Sequence, residues 1–324
     1  MRENISERTF LLLFPPRFCK MAERLKQKKA KLYEIRVRTN APLCAYTEKG
    51  FFYLSEQGEY TQSVNDALYL VPEDVEQWLQ HLCRHSLYAY KEEVAQGYIT
   101  VEGGHRIGIV GQVVTGKQGI EDMKYISSMN IRISHEAIGC AEALLPFLYQ
   151  NGKVCSTLIV SPPMCGKTTL LRDLIRCVSN GIYDGCPHKI GVTDERGELA
   201  ASYMGCAGND LGFHTDVLTN TGKSDGIIRL LRSMSPEVIA MDELGKGEDM
   251  VAIKKAFAYG CSIFATVHGK NPEQIFKHPE WRDFFVCCDF ERLVGIEHEN
   301  NFMSTVYRCD SEGIYLMSGQ EVKR

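Results

Sequence analysis

The sequence predicts an α/β fold: a mostly parallel sheet in the second half of the chain, preceded by a smaller α+β module. Three observations carry that expectation. From about Val154 onward, apolar strand patterns alternate with helical ones, the signature of βαβ units. A Gly-Lys-Thr run lies where one such strand gives way to a helix, and a later strand, Glu237-Val238-Ile239-Ala240-Met241, ends in Asp242-Glu243. The division is set at residue 148, giving an N-terminal domain of 1–148 and a second domain of 149–324.

The elements follow in order. Pro72 to Leu79 opens as a helix with acidic residues in its first turn. Gly97 to Gly111 reads as a hairpin turned by Gly103-Gly104. No catalytic constellation stands out in this half. Beyond it, strands are expected at Val154–Val160, Lys189–Thr193, Val238–Met241 and Cys261–Thr266, and helices at Lys167–Asn180, Ser224–Ser233 and Glu248–Tyr259. A polar strand pattern from Phe290 to Ile296, a turn at Asn300-Asn301 and a run Met303–Tyr307 form a closing hairpin.

Composition narrows the class. With 324 residues, 44% hydrophobic and 24% charged, the chain has the profile of one large or two ordinary globular domains. Its longest apolar stretch near the N-terminus, Phe10 to Phe14, is closed by Pro15-Pro16 and falls far short of the roughly 20 residues a membrane span needs. Any membrane connection is therefore expected through a partner. Thirteen cysteines, with no C-x-x-C pair, suit a reducing compartment such as the cytoplasm, as small buried hydrophobes rather than zinc ligands. Net charge is −4, but residues 1–40 carry eleven Lys/Arg against four Asp/Glu. The basic segment Arg24–Lys31 could meet phosphate, an anionic membrane surface or an acidic partner; the plainer expectation is a solvated helix face.

The chemistry concentrates in Ser161-Pro162-Pro163-Met164-Cys165-Gly166-Lys167-Thr168-Thr169. After a strand and before a helix, such a loop cradles a polyphosphate with backbone N–H groups at the positive helix end. Lys167 would reach the β- and γ-phosphates of ATP, and Thr168 would offer its hydroxyl to Mg²⁺. Ser161 stands where the pattern has its first Gly, so the strict motif is not met. Of the two carboxylates at the later strand end, Asp242 can hold the Mg²⁺ shell and Glu243 can orient and deprotonate a water. Kinases with the same loop have no need of that second carboxylate, so the pair favours hydrolysis. Thr266 and His268, ending the next strand, would sit near the γ-phosphate, where His268 can sense it. Asp194, Glu195 and Glu198, just past another strand, could join the outer metal shell or polarise water, or could simply enrich a helix N-terminus in acids. Arg229 and Arg232 could act as arginine fingers on a neighbouring subunit's nucleotide, or pair locally, as Asp225 and Arg229 at i,i+4 allow.

Taken together, these stretches resemble the stage III sporulation protein AA family, relatives of the secretion and type IV pilus ATPases. The resemblance spans Ser156 to about Gln274, with Asp194-Glu195-Arg196, Arg229-x-x-Arg232-Ser233-Met234-Ser235-Pro236 and Thr266-Val267-His268-Gly269 as its most particular features. Tyr33–Arg38 with Pro42, and Gly97–Val110, are similar to that family's first domain. The resemblance implies a RecA-like ATPase domain behind an N-terminal docking and assembly domain, forming a hexameric ring. It further implies a cytoplasmic motor at the base of a membrane channel between mother cell and forespore. Asp194, Glu195, Glu198 and His268 would then correspond to boxes around the nucleotide. A nucleic-acid-dependent RecA-like ATPase is the rival; no aromatic-plus-basic stacking array is evident along the acidic chain, which makes nucleic acid the less expected partner. An ATP-binding scaffold without turnover is a third reading, opposed by the intact Asp242-Glu243 pair.

Overall fold

The computed structural model describes residues 9–28, 30–84, 90–116, 119–163, 165–245, 247–278, 281, 285, 288, 290–298, 302–310 and 313–321. Met164 of the phosphate loop, residues 1–8 and Lys29 of the basic arm, Cys287 and the Asn300-Asn301 turn lie outside them. The chain forms two compact units: Met1–Glu136 with Ala201–Asn209, and Ala137–Ala200 with Asp210–Arg324.

In the first unit, α1 (Cys19–Gln27) buries Met21, Ala22 and Leu25 on one face and turns its basic residues outward. Several basic residues on and around the helix are engaged. Arg24 donates to the Gln57 carbonyl at 3.1 Å, Lys28 pairs with Glu59 at 2.5 Å, and Arg17 pairs with the buried Asp74. Helix α2 (Pro72–Leu82) starts where the sequence places it, with Pro72 at its first position and Asp74 accepting from the Val71 amide. Its Trp78 is fully buried, stacked on Phe18 at 4.6 Å and donating to the Leu13 carbonyl at 2.8 Å. A short helix α3 (Lys91–Ala95) follows.

These helices accompany a sheet of β1 (Leu32–Arg38), β2 (Cys44–Thr47), β3 (Gly50–Leu54), β4 (Tyr60–Thr61), β5 (Tyr98–Val101), β6 (His105–Gly116) and β7 (Gly119–Arg132). Among the described residues its order is β4-β3-β2-β1-β7-β6-β5, all antiparallel. Alternation sends Ile35, Val37, Ala45, Ile99, Ile107, Met129 and Ile131 into the core. Gly103 and Gly104 make the β5–β6 turn with positive φ, and a Cβ on Gly104 would lie 2.5 Å from the Ala201 side chain.

The opposite face differs from the sequence expectation. Register aligns Glu34, Arg132 and Arg106 in one row, and Tyr46 and Phe51 on the neighbouring strands continue it. Arg36 lies 5.9 Å from the Tyr46 ring and Arg106 lies 4.0 Å from the Tyr98 ring. Phe51 contacts both Tyr46 and Tyr53 edge to face. An aromatic-plus-basic array therefore exists; it is assembled across strands and cannot be seen along the chain. Burial pushes the Glu34 carboxyl up, but hydrogen bonds from Asn130 and Arg36 outweigh it and hold it below the usual range.

The second unit begins with residues the sequence had grouped with the first: Cys140, Ala141, Leu144, Leu145 and Leu148 are buried in its core. Its strands are β8 (Thr157–Ser161), β9 (Ile190–Asp194), β10 (Thr215–Thr219), β11 (Val238–Met241), β12 (Ser262–His268), β13 (Arg292–His298), β14 (Phe302–Cys309) and β15 (Ile314–Glu321). Among the described residues the order is β10-β9-β11-β12-β8-β13-β14-β15, parallel through β13 and antiparallel after it. Helices α4 (Lys167–Ser179), α5 (Lys223–Ser233), α6 (Glu248–Ala258) and α7 (Pro272–Lys277) intervene. Strands β8, β9 and β11 are buried along their whole length, as central parallel strands are. Close helix–sheet approach needs Gly226 of α5: a Cβ there would meet the Thr193 hydroxyl at 2.3 Å. Strand β12 lies between β8 and β11, which sets the ends of all three side by side.

Candidate active site

At the carboxyl edge of this sheet β8 ends in Ser161 and β12 in His268, paired in register, with Asp242 and Glu243 one strand further on. Gly166, in the left-handed region at φ +85°, turns the loop into α4, whose first residue is Lys167. The Lys167 side chain is buried and folds back. Its ammonium donates to the Ser161 and Pro162 carbonyls at 3.1 and 3.0 Å, and to His268 Nδ1 at 3.0 Å. Burial pushes the Lys167 pKa down, partly offset by the Asp242 charge. Ser161 itself is buried, its hydroxyl on the Pro162 carbonyl at 3.0 Å.

Thr168, next on the helix, donates to Asp242 Oδ2 at 2.6 Å, and Thr266 of β12 donates to Asp242 Oδ1 at 2.5 Å. A hydroxyl and a carboxylate meeting here offer hard oxygen donors. That suits Mg²⁺, which takes few protein ligands and keeps most of its shell for water and phosphate. Glu243 has positive φ (+54°), a conformation costly for a residue with a Cβ. Its amide is held by Thr266 Oγ1 at 2.8 Å and Asp242 Oδ1 at 3.1 Å. Its carboxylate is clasped from two sides, by His268 Nε2 at 3.0 Å and Arg196 Nη1 at 2.5 Å. Because the Lys167 ammonium can only donate, His268 Nδ1 accepts and its Nε2 carries the proton given to Glu243.

At the end of β9, Asp194 is buried, and both its oxygens are taken by backbone amides, Glu198 N at 2.9 Å and Ala200 N at 2.8 Å. It braces the 195–200 loop. Glu195 pairs with Lys223 of α5 at 2.5 Å. Thr193, Asp194, Glu195, Arg196, Lys223, Asp242 and Glu243 thus line one small cleft. Arg229 and Arg232 are exposed on α5, roughly 9 and 14 Å along the helix axis from Lys223. Among the described residues neither side chain has a partner, and Asp225 does not pair with Arg229.

The family model described as "Sporulation stage III, protein AA" matches residues 6–320. The chain belongs to that family. It is 35% identical to stage III sporulation protein AA of Bacillus subtilis (strain 168), over 94% of each chain. Among solved structures it is similar to the Legionella pneumophila ATPase DotB, with TM-score 0.58 and 14% identity over 92% of this chain and 82% of that one. It is also similar to the pilus retraction motor PilT solved with ADP, with TM-score 0.53 and 15% identity over 85% and 78%. This family member accordingly has the fold of the RecA-like P-loop NTPases, with a smaller N-terminal α+β part. Among the described residues no helix is long and apolar enough to cross a membrane.

Of the residues singled out from sequence, Lys167, Thr168, Asp242, Glu243 and His268 form one connected hydrogen-bond network. Arg229 and Arg232 stand apart from it. Two contributors had no role assigned beforehand: Arg196, which reaches Glu243, and Lys223, which reaches Glu195. For Arg196 the available signal was its charge next to Asp194-Glu195 at a strand's carboxyl end; Lys223, at the start of α5, offered no comparable one.

Proposed function

We propose that this protein binds ATP with Mg²⁺ and hydrolyses it to drive a secretion-like machine during endospore formation. The observation that carries the reading is the Thr168–Asp242 contact of 2.6 Å, with Lys167 and Glu243 beside it on the same sheet edge. In it, the loop 161–169 receives the phosphates: its N–H groups and Lys167 bind them, Lys167 leaving the Ser161 and Pro162 carbonyls to do so. Thr168 and Asp242 would hold Mg²⁺, which would supply neutralisation of the phosphate charge. Glu243 takes a proton from water as the water oxygen attacks the γ-phosphorus, and the bond to the bridging oxygen breaks to release ADP and phosphate. His268, linked to both Lys167 and Glu243, would report whether the γ-phosphate is present. Asp194 serves this chemistry by holding the loop that carries Glu195, Arg196 and Glu198, rather than by touching water itself.

The assembly we propose is a hexameric ring, cytoplasmic and joined to membrane proteins of the channel between mother cell and forespore, with the N-terminal part as docking and assembly domain. The exposure of Arg229 and Arg232 supports a role toward a neighbouring subunit. Mixing an inactive Arg229 or Arg232 variant with an inactive Glu243 variant should partly restore activity, since some mixed interfaces contain both intact groups. No recovery in mixtures shown to exchange subunits would leave both arginines structural.

A second reading, a nucleic-acid-dependent ATPase, is favoured by the arginine and tyrosine array on the first sheet. Phosphate release from ATP by the purified chain decides between them, measured with Mg²⁺, with EDTA, and with added single-stranded DNA. Mg²⁺-dependent release insensitive to DNA is expected. Strong stimulation by DNA favours the second reading, and no release at all from a chain that binds ATP reduces the site to a binding scaffold.

A further inference from the structure

We infer that Arg196 is a positioning residue, fixing the Glu243 carboxylate for attack on the γ-phosphate; the inference rests on the ATPase reading above. The two residues lie 47 apart in sequence and meet because β9 and β11 are neighbours, paired in register up to Thr193 and Met241. Arg196 Nη1 takes Glu243 Oε2 at 2.5 Å, while His268 Nε2 takes Oε1 at 3.0 Å.

Three features argue that this contact serves the site and not the fold. First, the Arg196 side chain is 64% exposed and that of Glu243 38%, and pairs this open add little to stability. Second, the Arg196 backbone is held independently of its guanidinium, since Asp194 fixes the loop through the Glu198 and Ala200 amides. Third, Glu243 needs an external hold. Its backbone is in a strained region, and its partly exposed side chain lines the cleft, where packing alone does not fix it. His268 alone is an unsteady clamp, because it also holds Lys167, which must move to bind phosphate. Arg196 comes from the loop after β9 and has no such second duty among the contacts described, so it can keep one carboxylate oxygen fixed while the other faces the water.

The test uses the whole chain. Arg196→Ala should lower kcat roughly 10- to 100-fold, the scale of a catalytic group displaced by about 1 Å, with KM for ATP and melting temperature close to wild type. Arg196→Lys, which keeps the charge, should recover part of the rate. In a Glu243→Gln background, Arg196→Ala should cost almost nothing further, because its effect passes through that carboxylate. A full additional loss there means that Arg196 acts on the phosphate directly and overturns the inference, as does an unchanged kcat in the single variant. Crystal structures of nucleotide-free wild type and Arg196→Ala give a readout independent of turnover. The Glu243 carboxylate should leave its place in the variant, and finding it unmoved sinks the proposal even if the wild-type chain turns out not to hydrolyse ATP. An absence of hydrolysis in wild type, with the carboxylate displaced as expected, faults the ATPase reading alone.

Discussion

Glu243→Gln should slow ATP hydrolysis by roughly 10²–10⁴-fold, the range for losing a general base, while leaving ATP affinity near wild type. The amide keeps the side chain's size and its hydrogen bonds but lacks a basic oxygen. Backbone strain is unchanged, because Gln and Glu tolerate the +54° φ equally poorly. Asp242→Asn should behave differently. Asp242 accepts the Thr168 and Thr266 hydroxyls at 2.6 and 2.5 Å, and in the proposed reading its charge bears on the metal and not on the water. Its loss should appear as a weakened Mg²⁺ dependence of ATP binding. Equilibrium binding and single-turnover hydrolysis, run on both variants, separate the two. A wild-type hydrolysis rate in Glu243→Gln places the base elsewhere. Asp194 is then a poor substitute, with both oxygens already accepting amides, and Glu195 or Glu198 becomes the next candidate.

Lys167→Ala should remove measurable ATP binding. Two charge-assisted contacts to phosphate are worth roughly 3–6 kcal/mol together, a loss of about 10²–10⁴-fold in affinity. Titration calorimetry or a fluorescent nucleotide reads the effect directly, and retained micromolar binding would falsify the phosphate-loop assignment. The fold should survive. The Ser161 and Pro162 carbonyls lose a donor at the loop, but β8 and α4 are secured by their own buried apolar residues, Leu158, Ile159, Val160, Leu170, Leu171 and Leu174. Comparing melting temperatures of wild type and variant therefore checks that lost binding is not lost structure.

The central sheet was legible because its strands are short apolar runs bounded by turn residues. Val238–Met241 begins and ends where the sequence places it, and Lys167–Ser179 differs from expectation by one residue. Strand β10 escaped notice because Thr215–Thr219 is an edge strand of mixed polarity, with no residue fully buried. Strand β15, which extends the expected closing hairpin to a third strand, exposes Tyr315, Leu316 and Met317 and shows little alternation. In the site, residues adjacent in sequence to a motif could be read. Contacts decided by strand order could not: Arg196 to Glu243 spans 47 residues and Lys223 to Glu195 spans 28. The same holds for the array on the first sheet, where Arg106 and Glu34 share a row only because β7 lies between their strands.

The nine residues Ala201–Asn209 bear on how this protein can be taken apart. They are encoded in the middle of the second unit yet pack in the first, where the Tyr203 hydroxyl lies 2.7 Å from that of Tyr90 and its ring stacks on the Tyr90 ring. A fragment ending at Glu136 lacks that tyrosine, and one starting at Ala137 carries a stretch whose packing partners have been deleted. No single cut in the gene yields two intact folding units. A deletion series read as a map of function would confuse a missing activity with an unfolded fragment. Clean dissection requires leaving the chain whole and silencing each part by point substitution, or grafting residues 201–209 back onto the N-terminal fragment through a short linker.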